Sequence, residues 1–397
     1  MNEDFSIVIA GGGIVGLSVA ALLTEIDGLK VTVLDSGARP HFDVSDEVGL
    51  RVSSIAPGSI DILSAIGAWE EIVGSGACPF RDMRVWDAFG SVDGPETLTF
   101  DSAEFAIPQL GFIVENHLVQ HAILNVLDAT DALVRYETPI TSMVRMGERF
   151  EVTLDSGDTI TPDLLIGADG AGSFVRNNTG IAFRSIPHAQ KAFVTLLRPE
   201  KSHSNTAWQR FLRRGPIGLL PLTDGRISIV WSTTSEEADE ALALPADELG
   251  KLLTAITDGV LGFLTPAGPR GVFPLKTQYA ARYTQDGLVL IGDAAHSIHP
   301  LAGQGVNLGF ADAAALSTVI SAALAADENP GDLPVLRRYE RARKGDNQRA
   351  LQFMVVLNRL FSNDSRALGR LRGAGMYLFN RSGMLRERIV QTALRIR

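Results

Sequence analysis

Phe5-Ser6-Ile7-Val8-Ile9-Ala10 running into Gly11-Gly12-Gly13-Ile14-Val15-Gly16 decides the reading of this chain. The first six residues have the apolar density of a buried strand, and the next six spell Gly-x-Gly-x-x-Gly at a strand-to-helix turn. Gly11 permits the tight turn, Gly13 lets a pyrophosphate approach the backbone, and Gly16 lets helix and strand pack closely. Free N–H groups at the start of the following helix, Leu17 to Glu25, would then bind the anion. A second strand, Lys30 to Leu34, ends on Asp35, 24 residues after Gly11. That acid is placed to accept hydrogen bonds from adenosine ribose hydroxyls. A plain glycine-rich turn is the bland alternative, but strand, helix and acid at this spacing together weigh against it. The motif does not separate FAD from NAD.

Further along, Leu164-Leu165-Ile166-Gly167-Ala168-Asp169-Gly170 sets Asp-Gly after an apolar strand, with Ser173 and Arg176 downstream. Arg176 reads equally well as a surface salt-bridging residue. Leu290-Ile291-Gly292-Asp293-Ala294-Ala295-His296 sets Gly-Asp after another strand. It continues through His299-Pro300-Leu301-Ala302-Gly303-Gln304-Gly305-Val306-Asn307 into a helix holding Asp312. Between these motifs the pattern predicts helix over 52–75, antiparallel sheet over 82–110, and a short strand then a helix over 111–128. Strands are expected near 132–136, 150–154 and 159–166, a strand-rich stretch over 183–235, a helix at 246–257, and helix almost throughout from Gly305. No repeat or low-complexity linker is seen, which favours domains woven together by crossing segments.

The 397 residues are too many for one small core, and 45% hydrophobic with 21% charged residues is ordinary for a globular protein. No uninterrupted apolar run approaches the roughly 18–20 residues of a membrane span. The single cysteine, Cys78, fits a reducing, cytoplasmic compartment. The net charge of −10 excludes nucleic acid as a general partner. No metal constellation, Gly-x-Ser-x-Gly elbow or nucleophilic cysteine arrangement is present, so the cofactor is expected to carry the chemistry.

Taken in this order and spacing, the three motifs resemble the class A flavoprotein aromatic hydroxylases, and within them the ubiquinone-biosynthesis (polyprenyl-phenol) hydroxylase subfamily. Subfamily-like stretches are Arg51-Val52-Ser53-Ser54, Gly111 to Asn116, Phe273-Pro274-Leu275, Gly292 to Gly309, Tyr339 to Asn347 and Leu360 to Asn363. The resemblance implies an α/β fold. A discontinuous Rossmann-like FAD-binding domain (1–77, 106–182 and 271–340) interleaves with a smaller sheet-rich substrate domain (78–105 and 183–270), and a helical region (341–397) follows. It implies non-covalent FAD held by Gly11, Gly13, Gly16, Asp35, Arg51, Glu115, Asp169, Gly170, Gly292, Asp293, Gly305, Val306 and Asn307. Pro300, Gly303 and Gly305 would shape the loop at flavin N1 and O2, where a helix N-terminus favours the anionic reduced flavin.

In the implied reaction NADPH or NADH reduces the flavin, O2 adds as a C4a-hydroperoxide, and an aromatic substrate, prenylated or not, is hydroxylated. His299 or His188 is a candidate to assist phenol deprotonation, against the commoner structural role of a lone histidine. Phe211, Leu219, Leu220, Pro221, Ile229 and Trp231 are candidates to line the site, against ordinary sheet core. A class A hydroxylase of a soluble aromatic and a silent FAD-binding scaffold are the competing readings. From Ser365 onward eight arginines face one acid, Glu387. Either this is a helical cap with a solvated arginine face, or it docks on acidic lipid or on a quinone-biosynthesis complex. A homodimer is a family-level expectation.

Overall fold

The computed structural model describes residues 5–297, 305–361 and 366–394. Its centre is a six-stranded sheet ordered Thr284–Gln285, Leu288–Leu290, Leu164–Gly167, Phe5–Ala10, Leu29–Leu34, Leu133–Arg135. All neighbours run parallel except the Thr284–Gln285 edge. Parallel strands buried on both faces need continuous apolar runs, and Ile7, Val8, Ile9, Leu164, Leu165 and Ile166 supply them. The helices Ile14–Thr24, Asn116–Leu127 and Gly305–Ala325 pack their apolar sides into the same core.

A second, eight-stranded sheet is ordered His296–Ser297, Leu264–Ala280, Phe183–Pro199, Ile227–Thr234, Gly215–Pro221, Thr206–Leu212, Asp82–Asp87, Leu98–Asp101. Two of its strands, Phe183–Pro199 and Leu264–Ala280, are 17 residues long and pair antiparallel along their length. Ala280, at one end of that pair, belongs to the core around the parallel sheet. Phe193, Leu197 and Leu264, at the other, belong to a separate core under the eight-stranded sheet. The pair is therefore a rigid spar joining the two cores.

The predicted helix over 52–75 begins too early. Val52–Ile55 is a strand paired with Gly111–Glu115, and helix starts at Pro57. Proline suits a first helical turn, and it disfavours helical geometry in the residue before it. Gly67, at φ 90°, then breaks the segment into Pro57–Ile66 and Trp69–Ser75. A helix at Ser235–Ala243 was not foreseen, although Thr234 accepts from the Glu237 N–H in the Thr-x-x-Glu pattern of a helix start.

The helix Gly305–Ala325 is long and apolar enough to cross a membrane by length and composition, although Asn307 and Asp312 interrupt its apolar run. It lies instead in the core, with Phe310, Ala313, Leu316 and Ile320 buried and a buried Asp312 at its centre. The C-terminal helices Arg366–Asn380 and Met384–Leu394 close over the Asp82–Asp101 hairpin. Arg372 lies buried there and bonds Asp87 through Nε at 2.8 Å, and Arg386 reaches Glu104 at 2.8 Å. Phe211 stacks on Phe361 at 4.0 Å between ring centres. Part of the arginine content is thus internal rather than a solvated face.

Arg372→Met leaves Asp87 buried without its counter-ion. Urea unfolding should show a loss of about 3–5 kcal/mol, with partial recovery in Asp87→Asn/Arg372→Met. Equal stability of wild type and single variant would contradict a structural role for the pair.

Candidate functional site

The glycine turn is built as its sequence demands. Gly11 sits at φ 110°, and a Cβ there would lie 2.4 Å from the Ala168 carbonyl oxygen. A Cβ on Gly16 would lie 1.9 Å from the Gly11 carbonyl oxygen, so neither position admits a side chain. Gly13 is the opposite case, with no atom within 4 Å of where its Cβ would stand. It caps the helix Ile14–Thr24 without any side-chain acceptor, and the first turn carries no acid. Orphan N–H groups of a helix start with no acid in its own first turn therefore lie beside open space at Gly13 among the described residues, a setting that suits a pyrophosphate. Asp35 accepts from the Gly12 N–H at 2.6 Å and the Gly37 N–H at 2.7 Å, fixing the turn beside it.

Asp169 turns into its own loop. It accepts from Ser173 Oγ and from the Val175 N–H at 3.0 Å, and so caps the short helix Phe174–Asn178. Burial pushes its carboxyl up, against those bonds. Gly170 takes φ 78°. Arg176 is buried, not at the surface. It donates to the carbonyls of Ala171 at 2.8 Å and Ala294 at 3.1 Å and lies over the Phe183 ring. One guanidinium thus ties the Asp-Gly loop to the Gly-Asp loop.

The Gly-Asp loop is a single turn, Gly292–Ala294, in which Asp293 is exposed between two buried neighbours. Surrounding protein pushes the Asp293 carboxyl up, opposed by His296 and Arg51. That places Arg51 in the field of Asp293. Glu115 ends the strand pairing with Val52 and accepts from the Gly49 N–H; its carboxyl is pushed up by burial. Arg51, Glu115 and Asp293, far apart in sequence, are thereby brought to one region. Gly292 and Gly309 both press on Val15 of the first motif, where an added Cβ would come within 3.2 and 2.3 Å of that side chain.

Gly305 and Val306 open the helix Gly305–Ala325. The Asn307 side chain is committed internally. Its Oδ1 accepts from the Ala56 N–H at 2.9 Å and Ser59 Oγ at 2.7 Å, and its Nδ2 donates to the Ser54 carbonyl at 2.7 Å. Only its backbone is left to face a cofactor. His299, Pro300 and Gly303 lie outside the described residues. His188 shares a 2.7 Å hydrogen bond with Thr277 Oγ1.

Sequence reasoning missed the group that holds the Gly-Asp loop. Asp312 Oδ2 bonds His296 Nε2 at 2.5 Å and accepts from the Gly292 N–H at 3.1 Å. Its Oδ1 accepts from Arg343 Nε at 2.7 Å and Asn347 Nδ2 at 3.1 Å. Burial alone would raise this carboxyl, but His296 and then Arg343 outweigh it and hold it at about 2. The available signal was Arg343 and Asn347, four apart on one helix face.

For three of the lining candidates the sheet-core alternative applies. Leu219, Ile229 and Trp231 lie under the helices Ser235–Ala243 and Ala246–Ile256, in the core below the sheet. Strand alternation turns Val194, Val230 and Ala192 to the other face, where they join Leu275 and Leu50. Leu50 adjoins Arg51, whose guanidinium sits 5.7 Å from the Phe273 ring centre. This apolar face is the one beside the loops.

The fold and these loops define a FAD-dependent monooxygenase. The family model described as "FAD binding domain" matches residues 4–354. The chain is 33% identical over 396 residues, 99% of both proteins, to the 3-demethoxyubiquinol 3-hydroxylase of Escherichia coli (strain K12). It is 36% identical over 389 residues to the ubiquinone hydroxylase UbiL of Rhodospirillum rubrum, covering 98% of this chain and 89% of that protein. Among solved structures, PqsL from Pseudomonas aeruginosa, described as a probable FAD-dependent monooxygenase, superposes with a TM-score of 0.78. It is 23% identical over 94% of this chain and 99% of that one. The chain belongs to the ubiquinone-biosynthesis hydroxylase family of FAD-binding proteins.

Because the Asp312 carboxyl is depressed in the folded protein, it stabilises the fold above its unfolded value. That contribution is lost as pH falls from about 4 toward 2. The loss should be on the order of 2 kcal/mol. Asp312→Asn should be less stable at neutral pH and show a shallower decline between pH ~4 and ~2 by urea unfolding. Parallel pH profiles for the two proteins would contradict this.

Proposed function

We propose that the chain hydroxylates the ring of a prenylated phenol on the route to ubiquinone. The observation that carries this is the end-to-end match to a 3-demethoxyubiquinol 3-hydroxylase, in a chain whose apolar sheet face, Val194, Val230 and Leu275, lies beside Arg51. Bound FAD supplies hydride acceptance from NADPH or NADH and activation of O2. The chain's own residues bind and orient. The N–H groups around Gly11, Gly13 and Gly16 take the pyrophosphate, and Asp35 the adenosine ribose. Arg51, Glu115, Asp169, Gly170, Gly292 and Asp293 hold the central part of the cofactor. Backbone N–H groups of Gly305, Val306 and Asn307 place the positive end of a helix where the reduced flavin is anionic. Pro300 and Gly303 shape the approach to it, and His299 is assigned the phenol proton. The apolar sheet face excludes water from the reacting ring.

The decisive assay is NADPH oxidation by the yellow holoenzyme in air. A demethoxy polyprenyl phenol should stimulate it and yield a product one oxygen heavier by mass spectrometry. Stimulation by soluble phenols alone would transfer the protein to a catabolic or secondary pathway, and flavin reduction by no donor would make it a scaffold.

We further propose that the C-terminal helices dock on a membrane carrying the prenylated substrate. Phe353, Val356, Leu378 and Met384 are 54%, 60%, 65% and 77% exposed, and Arg381 and Arg388 are exposed nearby in the sequence. An apolar surface with cationic flanks suits an anionic bilayer. Phe353→Ser/Leu378→Ser/Met384→Ser should reduce flotation with phosphatidylcholine–phosphatidylglycerol vesicles on the order of ten-fold while leaving FAD content unchanged. Equal flotation would refute the docking.

A further inference from the structure

A cavity of about 450 Å³ lies against the helix Leu333–Phe361. Its wall carries Arg337, Arg341 and Lys344 at i, i+4 and i+7, Gln348 one turn on, and Arg282 from the loop after Leu264–Ala280. The one acid in the lining is Glu340. Its Oε1 accepts from Lys344 Nζ at 3.0 Å and its Oε2 from Thr284 Oγ1 at 2.9 Å. Lys344 is also held by the Ala281 carbonyl at 2.5 Å. The charges of Lys344 and Glu340 thus answer each other.

The three arginines differ. Arg282, Arg337 and Arg341 are exposed and have no hydrogen-bond or ion-pair partner among the described residues. Three other arginines of the same helix are paired: Arg338 with Glu328, Arg343 with Asp312, Arg349 with Asp346. In a chain with 46 acids and 36 lysines and arginines, three unpaired guanidiniums converging on one concavity repel one another with nothing in the fold to offset it. Guanidinium forks match phosphate oxygens two at a time, and a concave wall lets several act on one group. The lining is more polar than apolar and is dominated by cationic side chains, so the ligand is polar, and the volume exceeds that of a bare phosphate.

We propose that this cavity is a second anion site, distinct from the pyrophosphate cradle at Gly11–Gly16, that binds a phosphomonoester-bearing ligand through Arg282, Arg337 and Arg341. Both a 2′-phosphorylated nucleotide and free sn-glycerol 3-phosphate present that chemistry. The site's wall is continuous with the catalytic half of the molecule, because Tyr283, next to Arg282, packs on His296 at 5.9 Å between ring centres.

The test uses FAD-loaded full-length protein, so that the cradle is already filled, and titrates inorganic pyrophosphate calorimetrically at low salt. Wild type should bind with an affinity that falls as salt rises. Arg337→Gln/Arg341→Gln should bind at least about ten-fold more weakly with unchanged FAD content and melting temperature. Arg282→Gln, on a separate segment, should weaken binding independently. Separate titrations with adenosine 2′,5′-bisphosphate and with sn-glycerol 3-phosphate then say which source the site prefers. No binding to wild type, or equal binding to all three proteins, would overturn the proposal.

Discussion

Everything at the cofactor end of this molecule depends on a carboxylate that has no contact with water. Asp312 is fully buried, and an isolated charge there would cost several kcal/mol. It is tolerable because four groups converge on it: the Gly292 N–H, His296, Arg343 and Asn347. All four come from outside its own helix, Gly305–Ala325, and so fix distant pieces of chain. Gly292 and His296 flank Asp293, the residue assigned to the cofactor, and Arg343 and Asn347 belong to the long helix behind. The buried ionic hub is thus a clamp on the Gly-Asp loop, with Arg176 as a second clamp through the Ala294 carbonyl.

Packing adds a constraint that hydrogen bonds do not. Val15 of the first motif fills the space above both Gly292 and Gly309. A methyl group at Gly309 would stand 2.3 Å from that valine, well inside any real contact distance, so the helices Ile14–Thr24 and Gly305–Ala325 approach as closely as their backbones allow. The pyrophosphate turn and the Gly-Asp loop therefore cannot shift independently. A cofactor long enough to touch both finds them already at a fixed separation, which lowers the ordering cost of binding.

Local chemistry was legible in the sequence, and long-range partnership was not. Gly11, Gly16 and Asp35 could be read because the turn, the close approach and the acid lie within one short βαβ unit. Val52–Ile55 was misread because four residues carry too little pattern to distinguish a strand from a helix, and what makes it a strand is pairing with residues some sixty positions later. Arg176 read equally well as a surface residue because its shorter bonds go to backbone carbonyls, which leave no trace in side-chain identity. Ile229 and Trp231 take the sheet-core alternative rather than the site-lining one, because strand alternation puts them on the face under the helices and turns Val230 to the other.

The arginines carry the same lesson further, since composition alone treats them as one population. Arg372 and Arg343 are buried against carboxylates and act as struts. Arg176 binds only neutral carbonyls, a role its planar, always-charged fork performs and a lysine would not. Arg282, Arg337 and Arg341 point into a cavity with no acid left to answer them. A strut arginine can be replaced only together with its acid, because removing one partner strands a buried charge. An unanswered one can be removed without stranding anything, and its retention in an acidic protein is therefore better explained by a ligand than by the fold.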